Sequence, residues 1–270
     1  MLKQQIHKIM LHHFWDKPLI IGLSGALLSI LVYYGSMVLH DDLGRDMEVI
    51  QNFIEWFGVP YGLLIALVLV NVWAQYDIVD REFDREADAF AMMFHTVFLI
   101  QTADKKLLKY KNEVMEMIGE YVKHVLSTHK VEHNNPDVKK KGDNYLLKIR
   151  DTIGEIINFE KHGFLESELL GKLFEVMDVR GDRISHSLQR MPKTVWFLSL
   201  LSSIIWLIPF YGLHFENTWV GFVLISGVTF IVVSFLAIIR DLDDPFSGTW
   251  GICLDSWEEL ENLYDEYIQN

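Results

Sequence analysis

The sequence predicts an all-α integral membrane protein: four transmembrane helices in two hairpins, joined by a helical cytoplasmic insert. Three observations carry this. Four nearly uncharged segments, Leu19–Leu39, Phe57–Tyr76, Thr194–Leu213 and Thr218–Ile239, each have the roughly 20 residues needed to cross the hydrocarbon core as a helix. Lysine and arginine are confined almost wholly to one side of those segments. Between the second and third segments apolar residues recur at helical spacing, and no run alternates with period two.

Taken in chain order, residues 1–18 place Leu2, Ile6, Ile9, Met10 and Phe14 on one side, with Lys3 and Lys8 elsewhere. That pattern suits a helix lying at the inner leaflet. Span one (19–39) is too long for a signal-peptide core. "MVLHDD" after it offers no small-residue cleavage site, so the segment is expected to stay as a helix. Span two (57–76) runs on into "DREFDREADAFAMMFHTVFLI" without proline or glycine. Within the insert, 77–193, further helices are expected near 104–128, 143–160 and 165–190, with breaks at "HNNPD" and "KHGF". Spans three and four (194–213 and 218–239) form the second hairpin, and 240–270 is a cytoplasmic tail. In that tail Ser256 and Glu259 have capping-box spacing. Trp257, Leu260, Leu263 or Tyr264, and Tyr267 form a stripe expected to dock on the insert.

Charge sets the topology. Of the 24 lysines and arginines, nineteen lie between Arg81 and Lys193. Lys3, Lys8 and Lys17 precede span one and Arg240 follows span four, while Arg45 alone lies in 40–56 and none lies in 214–217. Both termini and the insert are therefore expected on the cytoplasmic side of a cell inner (plasma) membrane. The lipid bilayer is the first partner. A net charge of −13 with no basic stripe excludes a nucleic-acid binder. One cysteine, Cys253, excludes an internal disulfide framework. No phosphate loop, dinucleotide fingerprint, nucleophile elbow or His-Glu-x-x-His occurs. His129 and His133, with His124 before them, lack neighbouring cysteine or carboxylate ligands of zinc-site pattern. Neither an enzyme, a cofactor nor a metal site is expected.

Two stretches ask for an explanation. Span four leads into "RDLDDPFSGTW", in which Asp241, Asp243 and Asp244 sit at a helix C-terminus that repels them. Pro245 ends the helix, Phe246 follows, and Gly248 is free to take conformations closed to other residues. A helix stop with a compensating cation is one reading, Arg240 or an arginine of the insert supplying the charge; a bound cation is the other. The spacing does not fit an EF-hand loop. In the second stretch, Pro60, Leu64, Leu67, Asn71, Gln75, Ile78, Glu82 and Glu86 fall on one stripe of the second helix. Polar groups at membrane depth are costly and face protein or water. The stripe therefore either hydrogen-bonds neighbouring helices or lines a water-filled axis, where Leu64 and Leu67 form apolar rings and Glu82 and Glu86 form rings of carboxylate that favour cations.

The motifs resemble the bestrophin-like family of bacterial and archaeal membrane proteins. The resemblance rests on Leu242, Asp243, Asp244, Pro245, Phe246, Ser247 and Gly248 after the last span, and on Glu86, Ala87, Asp88 and Ala89 just inside the second. It also rests on Arg180 and Arg183 ahead of Pro192 and Trp196 at the third. It implies a pentameric ion channel with span two at the pore and inorganic ions as its cargo. In bestrophins proper a string of acids after Pro-Phe-Gly clasps calcium. Here "SGTWGICLDSW" follows Phe246 and the aspartates precede the proline, which departs from that clasp. The rival to a channel is a non-conducting membrane scaffold or signalling protein whose insert binds partners.

Overall fold

The computed structural model describes residues 17–39, 47–132, 135–159, 163–213, 215, 217–246 and 250–269. The amphipathic reading of 1–16, Ser247, Gly248, His133 and His162 lie outside them. The elements are α1 (Lys17–Leu39), α2 (Met47–Phe98), α3 (Lys105–Glu132), α4 (Pro136–Phe159), α5 (Gly163–Ser187), α6 (Lys193–Leu207), α7 (Thr218–Leu242) and α8 (Asp255–Gln269), with a 3-10 turn, Ile208–Gly212, after α6. Among the described residues there is no strand. Among the described residues four helices are long and apolar enough to cross a membrane: α1, α2, α6 with its 3-10 extension, and α7. The chain divides into two compact units. One holds the chain up to Tyr76, Arg190–Asp244 and Trp250; the other holds Asp77–Gln189, Pro245 and Phe246, and the chain from Gly251 onward.

The first unit is built on close helix contacts. On α1, a Cβ at Gly22 would lie 2.0 Å from the Ser234 Oγ of α7 and 3.1 Å from the Phe230 ring, and one at Gly25 would lie 3.1 Å from Val233. On α7, a Cβ at Gly221 would lie 2.5 Å from the Tyr33 hydroxyl. Small residues here let backbones approach closely, as membrane helices require. Gly227 has nothing near it and is no part of that contact. Tyr33 is buried, and its hydroxyl donates to the Leu213 carbonyl at 3.3 Å. Tyr61, Ile65, Val68 and Val72 of α2 form one cluster with Val232, Ile239 and Leu242 of α7. Tyr61 also stacks on Trp206 and shares a 3.0 Å hydrogen bond with Ser203.

The second unit has a hydrophobic core of its own. Val79, Phe83, Phe90, Phe94 and Val97 of α2 face Val114, Ile118, Tyr121 and Val125 of α3, Ile149 and Ile153 of α4, and Leu169, Leu173 and Val176 of α5. The helix α8 docks through Trp257, Leu260 and Tyr264; the Trp257 indole N–H donates to the Phe83 carbonyl at 3.1 Å. Ser256 does not close a capping box, because its hydroxyl donates instead to Asp84 at 2.8 Å. The helix expected from 143 starts at Pro136. Proline suits the first helical position, and the Asn135 side chain accepts the Asp137 amide at 3.0 Å as a cap. The chain break therefore falls before the proline and not after it.

Candidate functional site

In the first unit the residues singled out on α2 occupy different environments. Leu67 and Asn71 are exposed, on a face shared with Leu63 and Val70 that no part of the described chain covers. Leu64 and Gln75 lie at the edge of that face, half-buried, Leu64 against the cluster of Tyr61 and Ile65. The side-chain amides of Asn71 and Gln75 have no hydrogen-bond partner among the described residues.

In the second unit Glu82 is partly buried, its side chain 13% exposed, and takes both its oxygens to Arg85, at 2.9 and 3.0 Å. Glu86 is fully buried and cannot present a ring of carboxylate to an axis. The reason is helical drift. At about 100° per residue, the steps from Pro60 to Glu86 accumulate roughly 80° of rotation away from the starting face. Glu86 thereby lands among the inward positions Phe83 and Phe90.

Glu86 instead anchors a buried ionic network. Arg183 Nε donates to Glu86 Oε2, and Arg183 Nη2 donates to Glu132 Oε2 at 2.9 Å. Arg180 Nη1 lies 2.9 Å from Glu132 Oε1 and donates to the Tyr121 hydroxyl, which itself donates to Glu86 Oε1. Asp143 holds the other side of Arg180 at 3.1 Å. Both guanidiniums also sit over aromatic rings, Arg180 over Tyr121 at 5.4 Å and Arg183 over Phe83 at 5.5 Å. Gly142 leaves room for the assembly, since a Cβ there would lie 2.5 Å from Arg180 Nη2. Two carboxylates meet two guanidiniums, so the buried charge sums to zero and each ion is hydrogen-bonded, the condition under which burial is tolerated. Burial, reinforced by Glu86, pushes the Tyr121 phenol well above its ordinary value, so it stays protonated and remains a donor. The sequence reading named Glu86, Arg180 and Arg183 separately and missed Tyr121, Glu132 and Asp143.

Acid should loosen this unit. Burial works to raise the Glu132 carboxyl, but Arg183 and Arg180 outweigh it and hold it below its ordinary 4.5. Burial depresses the His124 imidazole below 6.5. Both groups bind protons more weakly folded than unfolded, so stability is full at neutral pH and falls as pH drops, first through the His124 range and then through that of Glu132. The denaturation midpoint should decrease from pH 7 to pH 5, and His124→Gln should flatten that part of the profile. A midpoint that rises on acidification would contradict the assignment.

Among the aspartates after span four, Asp244 is paired with Arg190. Arg190 donates to the Asp243 carbonyl and, at 2.9 Å, to the Asp244 carboxylate. Asp243 Oδ1 accepts the Met191 amide at 2.7 Å, and Asp241 Oδ2 accepts the Trp250 amide at 3.0 Å. This favours the helix-stop reading, with Arg190 supplying compensating charge at the helix C-terminus. Pro192 is the exposed N-cap residue of α6, and Trp196, one turn in, packs in the first unit's cluster. Phe246 is buried in the second unit, edge-on to Phe83. Among the described residues no three His, Cys, Asp or Glu side chains are grouped to hold a metal.

Comparison with known proteins bears on this arrangement. The model of the bestrophin-like domain matches residues 21–255. Among solved structures, a bacterial bestrophin homolog from Klebsiella pneumoniae carrying a Y211A mutation superposes with a TM-score of 0.68 at 12% identity, covering 94% of this chain and 98% of that one. The same homolog, phased on zinc, gives 0.67 at 12% identity over 92% of this chain and 96% of that one. At that identity the likeness is one of fold. No curated protein sequence matches.

Proposed function

The chain belongs to the bestrophin-like family, and from that premise we propose that it is a homo-oligomeric channel for passive movement of inorganic ions, with span two lining the path. The observation that carries this is Asn71. A carboxamide without a partner on an otherwise apolar, uncovered helix face is costly against lipid and content against water or a neighbouring copy. Leu67 lies one turn away on the same face. As a ring it would be an apolar constriction of the kind that gates by dewetting.

Cations are the favoured cargo in this reading. The helix leaves the membrane through Asp77, Asp80, Glu82, Asp84 and Asp88, against only Arg81 and Arg85. Glu86, being enclosed, contributes through folding and not through the path. A pentamer, and an inner-membrane location with both termini cytoplasmic, complete the proposal, the latter on the distribution of lysine and arginine. Chemistry at a catalytic group forms no part of it. Glu82→Gln in reconstituted protein should reduce the cation-to-anion permeability ratio severalfold, read as a shift in reversal potential. An unchanged reversal potential would remove Glu82 from the selectivity mechanism.

A further inference from the structure

Outside the membrane segments two helix faces of the second unit are left bare, and they match each other. The first is on α2: Arg81, Arg85, Asp88, Met92 and His95, continued by Leu99 just past its end, recur at three- and four-residue steps and are all exposed. Met92 and Leu99 are 52% and 71% exposed. The second is on α5, where Phe174, Asp178, Gly181, Asp182, Ser185 and Leu188, the last just past its end, are exposed. Phe174 is 62% exposed, and neither Asp178 nor Asp182 has an ionic partner among the described residues. Lipid does not explain apolar side chains bared on this unit, and a run of them marks a protein contact.

Gly181 lies on this α5 face, and a Cβ there would meet nothing within 4 Å. Beside it runs a groove of about 480 Å³ between α4 and α5, whose walls include Leu146, Leu147, Met177 and Ile184.

We propose that the α5 face around Gly181 seats the α2 face of a second copy of this chain, with Met92 against Phe174 and with Arg85, whose Nη1 is held by Glu82, turning its remaining nitrogens to Asp182. Spacing and sign both point to a copy. Arg85 and Met92 are seven residues apart, about 10 Å along a helix, and Asp182 and Phe174 are eight apart, about 12 Å. The chain enters this unit from span two with the arginines first, and leaves toward span three with Asp182 after Phe174. Copies inserted in one bilayer in the same sense therefore bring basic end to acidic end and apolar end to apolar end. The two faces differ, so the contact is heterologous and can close a ring.

This rests on the homo-oligomer reading, and the test separates the two. Met92→Cys with Phe174→Cys, in a Cys253→Ser background, should yield a ladder of cross-linked multiples of the 31.5 kDa chain on oxidation in membranes, while either single cysteine should leave monomer. Arg85→Asp or Asp182→Arg should weaken association by about threefold to tenfold, and the two together should restore it. Monomer alone from the paired cysteines, with an oligomer seen by native mass spectrometry, would overturn the assigned faces and leave the oligomer standing. A monomeric wild-type protein would overturn both. A ladder from a protein that passes no ions would uphold the interface and remove the conduction reading.

Discussion

Arg183→Ala is expected to destabilise the second, Asp77–Gln189 unit by about 3–5 kcal/mol, the range for removing one member of a buried ionic set. The guanidinium bridges Glu86 and Glu132. Without it two enclosed carboxylates share only Arg180, and one must be buried unpaired or take up a proton. The loss should appear as a large drop in the denaturation midpoint and as protease cleavage within 77–189 at temperatures where the parent resists. Glu86→Gln keeps the shape and loses the charge, and should cost less, about 1–3 kcal/mol. An Arg183→Ala protein as stable as the parent would show that the network does not hold the unit together.

Gly22→Leu combined with Gly221→Leu should separate α1 from α7. Each leucine enters a contact already filled, the first against Ser234 and Phe230, the second against Tyr33 and Phe215. Overpacking of this kind costs about 1–3 kcal/mol per site. The two contacts are about 16 Å apart along α1, so the costs should add. The fraction of protein surviving as a sharp gel-filtration peak after stepwise heating should fall at lower temperature for the double variant than for either single one. Gly227→Leu, directed into open space, is the control and should behave as the parent. Equal behaviour of all three would mean that α1 and α7 do not depend on glycine for their approach.

The spans, the helical insert and the docking stripe of α8 were legible because each depends on a period or a length: hydrocarbon thickness for the spans, and recurrence of Trp257, Leu260 and Tyr264 for the tail. Legibility ended where a long helix accumulates rotation. A stripe drawn from Pro60 to Glu86 implies about 3.7 residues per turn, whereas the Glu86 carboxylate belongs to the core face. The network's other members were hidden for a different reason. Tyr121 falls on the apolar stripe of its helix and reads as a packing residue, Glu132 lies past the end expected near 128 although the helix runs on to it, and Asp143 sits one element away. Arg180 and Arg183 themselves occupy the stripe of Leu169, Leu173 and Val176, and a charge in such a stripe is the signal that a partner lies opposite. The Arg190 contact spans 53 residues of sequence, and no local rule points to it.

The most direct test of the proposed function follows current and solvent access at one position. Asn71→Cys, in a Cys253→Ser background, is to be purified, placed in planar bilayers and exposed to a charged, water-soluble thiol reagent. A water-lined path along span two predicts ionic currents that the reagent suppresses. Membranes no more conductive than protein-free bilayers, or currents untouched while the cysteine stays unreacted, would contradict it.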